Sequence, residues 1–264
     1  MYSSMTVREI SSAGRMRDRL KILVLGGTGD AVALATEAAE KFDITYSLAG
    51  RTSHPALPDG VTLRTGGFGG PHALADWLGE NNIGAVIDAT HPFAERIAAH
   101  TAQACSATRT PRLKLTRPAW DETVGDTWHR VPDIAAAASL LPTLGNCAFL
   151  SIGRQELDAF MVVEGVQLLI RSIDPPGMTD RLPGAVYITG RGPFTTAQES
   201  KLLREYDINV LVSKNAGGTA TYAKIAAARM ADVPVVMIDR PTAPPSPIVS
   251  DVGVAIAWLE SRLG

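Results

Sequence analysis

The sequence predicts an α/β protein built as two three-layer domains with mostly parallel sheets and an active site in the cleft between them. Three observations carry this expectation. Short runs of Val, Ile and Leu alternate with Ala-rich stretches along the chain, as buried parallel strands alternate with crossover helices. Glycines recur just past the predicted strands, at 26–29, 50, 66–70, 153, 190–192 and 217–218, and open α/β sheets bind ligands at the carboxyl ends of their strands. The chain has 264 residues, a length between one and two ordinary domains.

Residues 1–19 are rich in Ser and Arg and lack an apolar segment, so a disordered extension is expected there rather than a secretory signal. A faint resemblance to an organellar transit peptide rests on Arg8, Arg15, Arg17 and Arg19. The first domain, residues 20–117, opens with a strand at 20–25, a Gly-rich turn, a helix at 31–41 and a strand at 44–48. A short strand at 61–64, a helix at 71–81 and a buried strand at 85–88 follow. Thr90 is expected to cap a helix that starts at Pro92 and runs to about 108. A strand at 112–115 closes this half, and Thr116-Arg117-Pro118-Ala119-Trp120 reads as a linker.

The second domain, residues 118–241, repeats the pattern. Strands fall at 147–152, 167–171, 185–189, 209–213 and 234–238. Helices fall near 133–141, 195–205 and 221–230. Residues 242–264 form a proline-rich crossover and a last helix at 252–263 with Asp251 as its N-cap. Its packing partner is open.

Composition excludes several classes. Lys plus Arg total 25 and Asp plus Glu 27, a net charge of −2, which argues against a nucleic-acid platform. Cys105 and Cys147 are too few for a disulfide framework or a Cys-rich zinc site. His54, His72, His91, His100 and His129 show no metal-ligand spacing, so no metal is expected. No apolar run spans a membrane, and a reducing cytoplasm is the default compartment. Without a long heptad pattern, a monomer is expected.

Gly26-Gly27-Thr28-Gly29-Asp30 lies between the first strand and the first helix. Helix N–H groups and the helix dipole favour a pyrophosphate there. The fingerprint is imperfect, since Val32 stands where the third small residue belongs. No Gly-Lys dipeptide exists, so this is not a P-loop. At the end of the second strand, Ser47-Leu48-Ala49-Gly50-Arg51-Thr52 has an arginine where an NAD-binding chain has an acid. Arg51 suits a 2′-phosphate, which favours NADP(H). Gly67 and Phe68 in the third glycine turn are candidates to flank one arm of the cofactor.

Asp88-Ala89-Thr90-His91-Pro92-Phe93-Ala94 places titratable groups beside the expected nicotinamide position. Asp88 and His91 are candidates to orient substrate or relay a proton; an ordinary loop histidine is the rival reading. Lys214-Asn215-Ala216-Gly217-Gly218 ends a strand in the second half. Lys214, Arg191 and Arg154 sit on equivalent strand-end edges and would form a basic mouth for carboxylates, unless they are merely solvated. No Tyr-x-x-x-Lys and no Gly-x-Ser-x-Gly occurs.

These residues together resemble the precorrin-6A reductase family of cobalamin biosynthesis. The resemblance runs from about Lys21 to Pro241, on Leu25-Gly26-Gly27-Thr28, Ser47-Leu48-Ala49-Gly50-Arg51, Gly66-Gly67-Phe68-Gly69-Gly70, Asp88-Ala89-Thr90-His91-Pro92-Phe93-Ala94, Arg191-Gly192-Pro193-Phe194 and Lys214-Asn215-Ala216-Gly217-Gly218. The family often has Ser where Ala216 stands. The resemblance implies NADPH-dependent reduction of a corrin precursor, with a hydride to one carbon of a ring C=C/C=N system and a proton to its neighbour. It implies that Gly26, Gly27, Thr28, Gly29, Asp30, Arg51, Gly67, Phe68 and Thr90 hold the cofactor. Arg191, Asn215, Gly217 and Gly218 would meet the substrate, and Asp88, His91 and Lys214 would lie near the reacting atoms. The proton donor stays open among Asp88, His91, Lys214 and water. A metal-free substrate and a cobalt-containing one both fit. The rival readings are another NADP-dependent reductase or epimerase, and an NADP-sensing module without catalysis.

Overall fold

The structure is a computed structural model that describes residues 19–50, 55–175, 177 and 182–263. The expected N-terminal extension and Arg51 lie almost wholly, and wholly, outside those residues. The first sheet contains β1 (Lys21–Leu25), β2 (Asp43–Leu48), β3 (Thr62–Thr65), β4 (Ala85–Asp88), β5 (Arg112–Leu115) and β12 (Ile248–Val249). Its order is β12-β5-β4-β1-β2-β3, and every pairing is parallel. This is the doubly wound order whose switch point lies between β1 and β4. Helices α1 (Gly29–Ala38), α2 (Pro71–Glu80), α3 (Glu95–Thr108) and α7 (Val252–Glu260) cover it. Leu34, Phe42, Ile44 and Tyr46 fill the α1–α7 face, and Leu23, Leu74, Leu78 and Val86 fill the other.

The second sheet holds β6 (Trp128–Val131), β7 (Cys147–Ser151), β8 (Gln167–Ser172), β9 (Val186–Thr189), β10 (Val210–Lys214) and β11 (Val235–Ile238). Its order, β6-β11-β10-β7-β8-β9, mirrors that of the first, again with all pairings parallel. One face packs on α4 (Ile134–Leu144) and a 3₁₀ helix at Arg154–Phe160, the other on α5 (Thr196–Glu205) and α6 (Ala223–Met230). The two-sheet α/β architecture is the expected one.

Local chemistry explains the element ends. The Thr195 side chain accepts from Gln198 N–H while Gln198 reaches back to the Thr195 N–H, a full capping box. Asp251 caps α7 through the Val254 N–H, as expected. The start of α3 differs from expectation. Thr90 does not cap it, and Pro92 is not in its first turn; the helix begins at Glu95 after Ala94. The reason is that the Thr90 N–H and hydroxyl are both committed to the Asp88 carboxylate, at 3.1 and 2.6 Å. The chain turns first, with Ala94 N–H donating to His91 C=O.

The sequence reading missed β6 and β12. Both are edge strands, and β12 is two residues long in a proline-rich run. It hydrogen-bonds to β5 through Lys114 N–H to Pro247 C=O and Thr116 N–H to Val249 C=O. The last helix, left unplaced by sequence, packs against α1. Among the described residues no helix is long and apolar enough to cross a membrane.

Candidate active site

The glycine turn after β1 is supported from below. Gly26 donates its N–H to Ser47 C=O at 2.9 Å. A Cβ on Gly26 would lie 2.2 Å from the Tyr46 ring, so only glycine fits over this wholly buried tyrosine. The Tyr46 hydroxyl accepts the Gly27 N–H at 3.2 Å, and Gly27 has φ +111, a conformation suited to glycine. Thr28 caps α1 by accepting from Ala31 N–H and donates its own hydroxyl to Ala89 C=O at 2.9 Å. That bond ties the turn to the end of β4 across the switch point. Gly27, Gly29 and Gly67 have open space where a side chain would stand. Gly29 and Asp30 open α1, so their N–H groups have no carbonyl partner within the helix. The turn therefore has the open backbone cradle that a pyrophosphate requires.

Beside it, Arg64 at the end of β3 donates to Gly66 C=O at 2.7 Å and Gly67 C=O at 2.9 Å. Its guanidinium lies 3.5 Å from the Phe68 ring centre, and Phe68 meets Trp77 edge-on. Phe68 thus belongs to a rigid Arg–aromatic stack at the strand ends. Sequence reasoning missed Arg64; its signal was a cation one residue before a glycine turn.

Asp88 and Thr90 are placed differently from expectation. Asp88 is fully buried, and its Oδ1 pairs with Lys114 Nζ at 2.9 Å. Lys114 also donates to Thr90 Oγ1 and Thr90 C=O, so its three donors are all used. Asp88, Thr90 and Lys114 form a buried cross-brace between β4 and β5, with Asp88 Oδ2 left unpaired beside a pocket that Lys114, Pro92 and Glu95 also line. Lys114 was legible only as a lysine between Leu113 and Leu115 in a short strand.

His91 does reach the cleft. Its Nδ1 accepts the Phe93 N–H at 3.3 Å, which places the ring proton on Nε2. Burial, reinforced by Lys214, Arg117, Arg240 and Lys224, holds its pKa down to about 3. His91 is therefore neutral at physiological pH in this structure, with its proton on Nε2. Phe93 packs on His91, ring centres 5.7 Å apart, and also under Lys214 Nζ at 5.0 Å. A first-domain histidine and a second-domain lysine are thus joined across one phenylalanine. Lys214 is in turn paired with Glu156 on the 3₁₀ helix.

The Lys214–Gly218 loop is bolted to the linker. The side chain of Asn215, 1% exposed, accepts from Trp120 N–H at 2.7 Å and donates to Trp120 C=O at 3.0 Å. The Asn215 side chain thus locks Trp120 in place. A Cβ on Gly217 would lie 2.0 Å from Pro118 C=O, and one on Gly218 would lie 2.3 Å from Arg117 Cδ. Both glycines have φ +70. They admit the linker rather than presenting a free face to a ligand. Arg240 fastens the same knot, donating to the C=O groups of Asn215, Ala216, Arg117 and Pro118. Arg117 donates through Nε to Ala216 C=O and through Nη1 to the Asp30 carboxylate at 3.1 Å. One linker arginine therefore connects the first-domain glycine turn to the second-domain Lys214 loop.

Of the expected basic mouth, Lys214 stands at the cleft. Arg191 is exposed in the loop after β9, and Arg154 donates to Pro175 C=O. The cations that act on His91 are instead Lys214, Arg117, Arg240 and Lys224. Sequence reasoning named Arg117 only as linker and passed over Arg240 and Lys224.

Two doubly wound parallel sheets, the first with an open glycine turn after β1, define a two-domain α/β protein of the dinucleotide-binding type. A family model described as Precorrin-6x reductase CbiJ/CobK matches residues 21–260. A precorrin-6A reductase of Rhodococcus erythropolis is 46% identical over 90% of this chain and 97% of its own. A cobalt-precorrin-6A reductase of Priestia megaterium is 26% identical over 83% of this chain and 90% of its own. A solved structure, CobK precorrin-6A reductase, is 40% identical, covers 92% of this chain and 97% of its own, and superposes with a TM-score of 0.86. The chain belongs to the precorrin-6x reductase family.

Proposed function

We propose that this chain is an NADPH-dependent precorrin-6A reductase acting on the metal-free corrin precursor. What carries the reading is the open glycine turn at α1, which Arg117 ties through Asp30 to the Lys214–Gly218 loop. The metal-free substrate is favoured by the higher identity to a relative named for precorrin-6A than to one named for cobalt-precorrin-6A.

The cofactor residues are Gly26, Gly27, Thr28, Gly29 and Asp30 along the turn, with Gly67 and Phe68 on its flank and Arg51 for the 2′-phosphate. Bound there, NADPH supplies a hydride to one carbon of the ring system, leaving NADP⁺, while a proton is added at the neighbouring carbon. The chain itself supplies placement and field. Tyr46 and Thr28 fix the turn. The His91 Nε2–H donates a hydrogen bond into the cleft without carrying a charge. Lys214, Arg117, Arg240 and Lys224 attract the acetate and propionate groups of the macrocycle. Asp88, His91, Lys214 and water are the candidate proton donors. The cytoplasm is the proposed compartment and a monomer the proposed state.

The test is oxidation of NADPH by purified protein with precorrin-6A under anaerobic conditions, followed by loss of cofactor absorbance and the mass of the dihydro product. Nucleotide binding without turnover would overturn the reading in favour of a sensor.

A further inference from the structure

Lys224 stands in the first turn of α6, just beyond the Lys214–Gly218 loop. It is 5% exposed. Among the described residues its ammonium has no hydrogen-bond acceptor; it lies over Trp120, 5.4 Å from the ring centre, and keeps a little contact with solvent. The nearby carboxylate is Glu199 of α5, and both of its oxygens are taken by Arg171, at 3.1 and 2.7 Å. Arg171 ends β8 and is itself covered by Phe194, 3.9 Å from its guanidinium. The cluster of Arg171, Glu199 and Lys224 therefore carries one positive charge in excess, at the carboxyl ends of the second sheet. The loops above it touch: a Cβ on Gly192 would lie 3.6 Å from Ala220 C=O.

A buried ammonium without an acceptor is costly, and a tryptophan face offsets only part of that cost. We propose that Lys224 is an anion-binding group that takes a peripheral carboxylate of the tetrapyrrole substrate where loops 190–194 and 218–222 meet. The assignment rests on the functional reading above and places one substrate arm in the second domain. Burial and Arg171 push the Lys224 pKa down to about 8, against the opposing pull of Glu199. The group is charged at neutral pH, and a bound carboxylate would hold it so at higher pH. A phosphate of the cofactor offers the same anionic chemistry, so the test separates the two sources.

The experiment compares the parent, Lys224→Met and Lys224→Arg as full-length proteins. In the methionine variant the KM for precorrin-6A is expected to rise about tenfold, with kcat less affected and NADPH affinity within twofold of the parent. Its melting temperature should equal or exceed the parent's, because an uncompensated buried charge is gone. Arginine should recover most of the KM. In the parent, KM should climb above pH 8; in the methionine variant it should not. An unchanged KM overturns the proposal. So does an equal loss of NADPH affinity, which would assign the anion to the cofactor. A lower melting temperature with no rescue by arginine also overturns it, by making Lys224 structural. If the parent fails to oxidise NADPH with precorrin-6A, the functional reading fails first and this assignment falls with it, before any variant is compared.

Discussion

Replacing Asp88 separates a structural carboxylate from a chemical one. Asp88 Oδ1 receives three bonds, from Thr90 N–H, Thr90 Oγ1 and Lys114 Nζ, inside a region where the two charged side chains are 0% and 7% exposed. Asp88→Asn keeps the shape and an acceptor for Thr90 but removes the charge opposite Lys114. Removing one partner of a buried ion pair costs about 3–5 kcal/mol. With a urea slope of roughly 3 kcal/mol/M for a chain of this size, the midpoint should fall by about 1–1.7 M. Asp88→Leu combined with Lys114→Met replaces both charges by apolar groups and should recover most of that loss, or exceed the parent by about 1–4 kcal/mol. Urea unfolding followed by circular dichroism reads both. An Asp88→Asn protein as stable as the parent but without activity would refute the brace and return Asp88 to the chemistry.

Three further outcomes are expected. Arg51→Ala should weaken NADPH binding at least tenfold more than NADH binding, by titration of each; equal losses would remove Arg51 from the 2′-phosphate. Asn215→Ala leaves the Trp120 N–H and C=O unpaired in a buried site, at about 1–3 kcal/mol for each; a melting temperature and Trp120 fluorescence matching the parent would contradict this. For His91, the folded pKa of about 3 lies below the unfolded 6.5. The unfolded chain then binds the extra proton, so stability is complete above pH 6.5 and falls between pH 6.5 and 3, at up to about 1.4 kcal/mol per unit. His91→Gln should flatten that slope in urea titrations across the window, and an unaltered slope would mean His91 titrates normally.

Most of the fold was legible because buried parallel strands announce themselves as continuous apolar runs. The sheet-edge strands were not, since β6 mixes His129 and Arg130 into four residues and β12 hides among prolines. At the site, Gly26 and Thr28 could be read because a turn between strand and helix has local rules. Asn215, Gly217 and Gly218 were located but their contacts were not, because Trp120, Pro118 and Arg117 lie about a hundred positions away in sequence. Lys114 was hidden although only 26 positions from Asp88: a buried charge reveals its role only when the strand opposite is known.

The two-residue strand β12 has a consequence for synthesis. Until residues 248–260 leave the ribosome, β5 is the edge of the first sheet, with the Lys114 and Thr116 N–H groups that later meet Pro247 and Val249 still unpaired. The whole second sheet is translated while that edge waits and while α1 lacks the cover of α7. The N-terminal half is thus completed by residues translated only after the whole second sheet. An unguarded edge invites pairing with another nascent copy, so termination before residue 248 should yield aggregates rather than a shortened enzyme.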